Sequence, residues 1–181
     1  MKLGFLTACL PEISLEDLVR WASKEGFQSL ELAAWPVDSK RDYQARQIDA
    51  AKFTKSDAER ISELFAEHSL EISAMAYYDN NLDPDLTKRK CHLDHLKKVV
   101  KCASLLDVKL VGTFVGGRPD RLPAENIKEI GKVFRPLIQY AEDNGIKLMI
   151  ENCPMENWQR FGLPGNYAYS PELWDALFEE V

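Results

Sequence analysis

The sequence predicts an α/β fold of parallel βα units, read as an incomplete (β/α)8 barrel of about five units in one domain spanning residues 1–181. Three observations point there. Five short apolar runs alternate with five amphipathic stretches, and the runs are continuous rather than alternating, as in strands covered on both faces. A doubly wound nucleotide-binding sheet would carry a glycine turn after its first strand, and "TACLPEIS" at residues 7–14 has no glycine. Polar residues and two long loops gather beyond the carboxyl ends of the runs, the side where barrels build their sites. A closed barrel would need about three further units.

The first strand is expected over "KLGFLTA", residues 2–8. Within it, Leu6-Thr7-Ala8-Cys9 resembles the cleavage box of a bacterial lipoprotein signal, but the run before the cysteine is far shorter than the roughly 15–30 residues of a signal peptide. Ser14 caps a first helix, "LEDLVRWASKEG", with Asp17 in the capping-box position, Leu15, Leu18, Val19 and Ala22 as its apolar stripe, and Gly26 as its stop. "SLELAAW" (29–35) is the second strand. A polar loop of about twenty residues, long for a compact domain, leads to the helix "KSDAERISELFAEHS", capped by Ser56 or Asp57. "LEISAMAYY" (70–78) is the third strand, and Asp79-Asn80-Asn81 and Asp83-Pro84 connect it to a long helix over 86–107. "VKLVGTFVGG" (108–117) and the helix over 124–145 form the fourth pair. "KLMI" (147–150) is the fifth strand, followed by a loop holding Gly162, Pro164 and Gly165 and a helix from Ser170.

Composition narrows the function. A chain of 181 residues, 45% hydrophobic and 29% charged, can bury one sizeable core. Its net charge of −6 and isoelectric point near 5.2 repel polyanions, and no long basic run offsets this, so nucleic acid is excluded as a partner. Cys9, Cys91, Cys102 and Cys153 are scattered and form no CxxC pair, which fits a reducing cytoplasm. No stretch is long enough to span a bilayer, so no membrane partner is expected.

The stretch "KLMIENCPMENW" runs an apolar strand straight into Glu151. At the end of a buried strand an ionised carboxylate costs several kcal/mol unless a cation or hydrogen bonds compensate. A divalent metal is one compensation, because hard cations prefer carboxylate oxygen; a neighbouring Lys or Arg is the other.

Glu31 in "SLELAAW", the "VGTFVGGR" segment, "IENCPMENW" and "PGNYAYSPELWDALFEEV" together resemble the xylose isomerase-like TIM-barrel superfamily, nearest its sugar-phosphate isomerase and epimerase branch. The resemblance implies that Glu151 is both metal ligand and catalytic acid–base. It would share a divalent ion (Mn, Mg, Co or Zn) with an aspartate, a histidine and a second glutamate that would lie beyond Val181. It further implies a sugar or polyol substrate and proton exchange next to a carbonyl through a metal-stabilised enediolate, the chain being the N-terminal part of a longer barrel. An Asp-x-x-His segment soon after Val181 would favour the enzyme. A metal-free sugar-binding or regulatory barrel is the alternative. Apurinic-site endonucleases share the barrel, yet their early-strand histidines have no counterpart in "ISAMAYY" or "VGTFVGG".

For substrate contacts, Glu156 resembles a hydroxyl-binding glutamate of ketose epimerases, at an offset of five residues where six is more familiar, and a solvated loop glutamate is the competing reading. Trp35, Tyr77, Phe114 and Trp158 offer aromatic faces to sugar C–H surfaces, with core packing as the alternative for each. Arg118 after the two glycines suits an anionic or polyhydroxy ligand, or else pairs with Asp120. Glu31 closes the substrate-binding set. His92, His95 and Cys91 have helical metal spacing, but on a helix expected outside the barrel; Cys153 lacks an activating histidine nearby in sequence.

Three expectations follow. The strands should order 1-2-3-4-5 with every helix on one side. Glu151, Glu31 and the Tyr77 region should converge at the carboxyl-end rim, Glu151 on the concave side. Residues 1–181 alone, with free strand edges, should self-associate into a homo-oligomer or be poorly stable.

Overall fold

The computed structural model describes residues 1–37, 47–155 and 163–181. Its strands are β1 (Gly4–Leu6), β2 (Ser29–Ala33), β3 (Glu71–Ala76), β4 (Leu110–Thr113) and β5 (Lys147–Ile150). They form one parallel sheet in the order β1-β2-β3-β4-β5. The helices are α1 (Leu15–Lys24), α2 (Lys55–Glu67), α3 (Leu86–Leu105), α4 (Pro123–Asp143) and α5 (Pro171–Glu180). Each helix packs on the next, giving a single helical layer over one face of the sheet.

Local signals explain where the helices begin. Ser14 Oγ accepts from the Asp17 amide, as the capping pattern predicts. For α2 the cap is Thr54, not Ser56 or Asp57. Asp57 is instead the third helical residue, whose carboxylate accepts from the Thr54 amide while Thr54 Oγ1 accepts from its own. Four of the strands stop short of their expected ends. β1 gives way to a 3-10 turn at Thr7–Cys9, in which Thr7 and Ala8 are buried. There Thr7 Oγ1 accepts from the Ala33 amide, fastening the turn to the end of β2.

The two faces of the sheet differ in kind. Phe5, Leu30, Leu32, Met75, Val111, Leu148 and Ile150 share one face by register and alternation. It is the helix-covered face, since Phe5 packs edge-on against Trp21 of α1, and Leu148 and Ile150 lie against Ile130 and Phe134 of α4. The inner face carries Glu31, Ala33, Ala74, Ala76, Gly112 and Met149. Large apolar side chains thus form the core on one side, and, Met149 apart, small or ionisable ones line the other. Among the described residues no helix is long and apolar enough to cross a membrane.

Candidate functional site

The site lies on the inner face towards the carboxyl ends of β2, β3, β4 and β5. Glu31 is the middle residue of β2. Its Oε1 accepts a 2.6 Å hydrogen bond from the Tyr78 hydroxyl. Tyr78 lies two residues past β3, on the inner face like Ala74 and Ala76, and its ring packs against Phe114 at 5.0 Å and Trp35 at 6.1 Å. A Cβ built on Gly112 would sit 2.2 Å from the Tyr78 hydroxyl and 2.9 Å from Glu31 Oε1, so this position holds the pair only because it has no side chain.

Glu151 follows β5, its amide bonded to the Thr113 carbonyl, and falls two residues after Met149 on the inner face. β5 is the edge strand and only half-buried, and Glu151 itself is exposed. Protein packed around the carboxylate raises its pKa. Burial raises the Glu31 pKa, the Tyr78 hydrogen bond opposes the rise, and the negative charge of Glu151 adds to it. The charge of Glu151 thus reaches Glu31 across the inner face. Burial and the Glu31 carboxylate push the Tyr78 phenol well above its usual range.

The other sequence candidates separate. Tyr77 is 1% exposed and points to the helix side, where its hydroxyl meets His92 Nδ1 at 2.9 Å and its ring packs edge-on against His95. Tyr78, not Tyr77, is the partner of Glu31. Trp35 is 4% exposed and flanked by Tyr77 and Tyr78, so its faces are taken up by packing; its indole N–H is buried with no acceptor among the described residues. Arg118 forks onto Asp120 at 2.7 and 3.2 Å and lines a groove with Lys128 and Lys132 of α4, away from the two glutamates. Glu156 and Trp158 lie outside the described residues.

His95 Nε2–H donates to the Ala34 carbonyl at 2.6 Å, and burial lowers its pKa, which keeps the ring neutral. His92 lies 3.6 Å from Asp79 as well as on Tyr77. Among the described residues, His92 and His95 keep to Tyr77, Asp79 and Ala34. Among the described residues no group of three His, Cys, Asp or Glu side chains is placed to hold a metal ion.

Sequence reasoning missed four asparagines that tie the rim together. Asn80 Oδ1 accepts from the Gly117 and Leu82 amides, and its Nδ2 donates to the Gly117 carbonyl. Asn81 donates to Thr113 Oγ1 and the Phe114 carbonyl. Fully buried Asn166 accepts from the Gly116 amide and donates to the Cys153 carbonyl. Asn126 accepts from the Arg118 amide at 2.7 Å and donates to the Arg118 carbonyl at 3.1 Å. The only signal in the sequence was the run of Asn and Gly just past the strand ends.

The comparisons with known proteins place the fold. An uncharacterized protein of Bacillus subtilis, YfiH, is 28% identical over 131 residues, covering 68% of this chain and 39% of the relative. A D-tagatose 3-epimerase-like protein aligns over the whole chain and 61% of its own, with a TM-score of 0.71 and 19% identity. The probable 3-DHS dehydratase AsbF of Bacillus anthracis aligns over the whole chain and 59% of its own, at 0.70 and 18%. The IOLI protein with a bound zinc atom aligns over 83% of this chain and 51% of its own, at 0.61 and 21%. The chain therefore spans about half to three-fifths of the solved structures it resembles, and at these identities they share its fold. Residues 19–181 match the family model of the xylose isomerase-like TIM barrel, and the chain belongs to that family.

Proposed function

We propose that this chain carries part of the active site of a divalent-metal-dependent sugar isomerase or epimerase. The observation that carries the reading is the placement of Glu31 and Glu151 on the same inner face towards the strand ends, each with a raised pKa. Glu151 is the proposed metal ligand and proton-transfer group, and its carboxylate has no hydrogen bond or ion pair among the described residues. Its oxygens suit Mn, Mg, Co or Zn. It fits as one ligand of a shell whose others lie outside the described residues. The bound cation would polarise the sugar's carbonyl and hydroxyl oxygens and acidify the neighbouring C–H bond. A carboxylate with a raised pKa is the stronger base for taking that proton, and Glu31 with Tyr78 would hold a nearby hydroxyl. The epimerase-like and zinc-bound proteins of the same fold support the reading.

The test is Mn²⁺ binding followed by electron paramagnetic resonance, with a sugar panel run in parallel. Glu151→Gln is expected to weaken Mn²⁺ binding about tenfold or more; unchanged binding overturns the assignment. A metal-free sugar-binding barrel is the second reading, since the Glu31–Tyr78 pair can hold a sugar hydroxyl without a cation. Sugar binding that EDTA leaves unchanged selects it.

A further inference from the structure

Glu31 spends only one carboxylate oxygen on Tyr78. The other has no hydrogen-bond partner among the described residues, and the side chain is half-buried rather than sealed. Its surroundings on the inner face are small: Ala33, Ala76 and Gly112, with Tyr78 and Phe114 alongside. An acceptor beside small side chains and an aromatic ring suits a sugar hydroxyl and the C–H surface next to it.

The charges nearby restrict which sugar fits. Glu31 and Glu151 act on one another, and neither is paired with a Lys or Arg among the described residues. Arg118, the first cation after the inner-face glycine of β4, is held by Asp120 and lies with the charged residues of α4. An anionic group arriving here meets two carboxylates and no described cation.

We infer that Glu31 and Tyr78 form a hydroxyl-binding subsite that selects an uncharged sugar or polyol over its phosphorylated or carboxylated counterpart. This rests on the sugar-site reading above and adds the charge class of the substrate. Tyr78 orients the Glu31 carboxylate through one oxygen and leaves the other for the ligand. Glu31 supplies both the acceptor and the repulsion.

The test is binding of D-fructose and D-fructose 6-phosphate to the protein at pH 8, followed by ¹⁵N–¹H NMR titration with Mg²⁺ present. D-Fructose is expected to bind about tenfold or more tighter than its phosphate, as expected for a dianion within about 8 Å of an ionised carboxylate in a partly screened site. Glu31→Gln keeps the shape and removes the charge, and is expected to shrink that preference to about threefold or less. Tyr78→Phe keeps the charge, so it should weaken D-fructose while preserving the preference. Circular dichroism of each variant checks the fold. Equal or tighter binding of the phosphate by the wild-type protein overturns the inference and leaves the sugar site standing. Binding of neither ligand overturns both. An unchanged preference in a folded Glu31→Gln variant removes Glu31 from the selective role.

Discussion

Replacing Gly112 by alanine tests the packing of the inner face directly. The new methyl carbon would lie 2.2 Å from the Tyr78 hydroxyl, 2.8 Å from its Cζ and 2.9 Å from Glu31 Oε1. Rotating the hydroxyl proton cannot relieve contacts to the ring carbon. The ring itself is 7% exposed and packed against Trp35 and Phe114, so it has no free exit. Overpacking of this kind costs about 1–3 kcal/mol. Loss of the hydrogen bond to a carboxylate adds about 1.5–3 kcal/mol, and the smaller backbone entropy of alanine returns about 0.5–1 kcal/mol. The net expectation is a loss of about 3 kcal/mol, read as a lower urea midpoint with an unchanged slope. Tyr78→Phe alone should cost about 1.5–2 kcal/mol, from the hydrogen bond. In the double variant the closest clash is gone, so its cost should fall short of the sum of the singles by about 1–2 kcal/mol. A Gly112→Ala protein within about 0.5 kcal/mol of wild type, or strict additivity, refutes the placement of Tyr78 over β4.

Four other outcomes are expected. Glu31 has a folded pKa above its unfolded value of 4.5, so its own contribution to stability is fully present below pH 4.5 and is lost as pH rises through the raised value; Glu31→Gln should remove that part of the pH dependence in urea melts. Cys102, its thiol pushed up to about 12 by burial, should resist a disulfide reagent in the folded protein, while exposed Cys9 and Cys91 react at once. Asn126→Ala should cost about 2–3 kcal/mol in denaturant melts, since it strands a part-buried Arg118 amide and removes the donor to the buried Tyr167 hydroxyl, which Asn126 now reaches at 3.2 Å. Residues 1–181 alone should bind Mn²⁺ weakly and turn over no sugar in a coupled assay, because Glu151 alone provides neither a closed coordination shell nor an opposed acid–base pair.

The strand order and helix count were legible because each unit carries its own period and its own cap. The strand ends were less so, since "TA" after β1 and "AW" after β2 would fit a continuing strand, and only the Thr7 bond to the Ala33 amide marks where the turn begins. Glu151 was legible as a residue but not as an environment. An apolar run reads as buried whether its strand is central or at an edge, and position in the sheet is set by partners distant in sequence. Arg118 shows a related limit: Asp120 two residues away offers a fork-matched carboxylate at little entropic cost, and local pairing prevailed over an orientation towards the site.

The exchange of Tyr77 for Tyr78 has one identifiable cause. Leu30 pairs with Ile72, but its neighbour Glu31 pairs with Ala74, so Ser73 is an extra residue in β3. Strict alternation from Ile72, on the helix side with Leu30, would send Ala74, Ala76 and Tyr78 to the helices and Tyr77 inward. One inserted residue reverses every side chain after it. Met75 and Tyr77 then fall on the helix face, where Tyr77 finds His92 and His95, and Tyr78 falls on the inner face, where it finds Glu31. The insertion leaves no sequence signal, because serine is at home in a strand and in a bulge. Deleting Ser73 should restore the alternation and turn Tyr78 away from Glu31. The Glu31–Tyr78 pair therefore depends on a single backbone irregularity two strands from Glu151, which is why the candidate site could be placed at the strand ends from sequence but not assembled there.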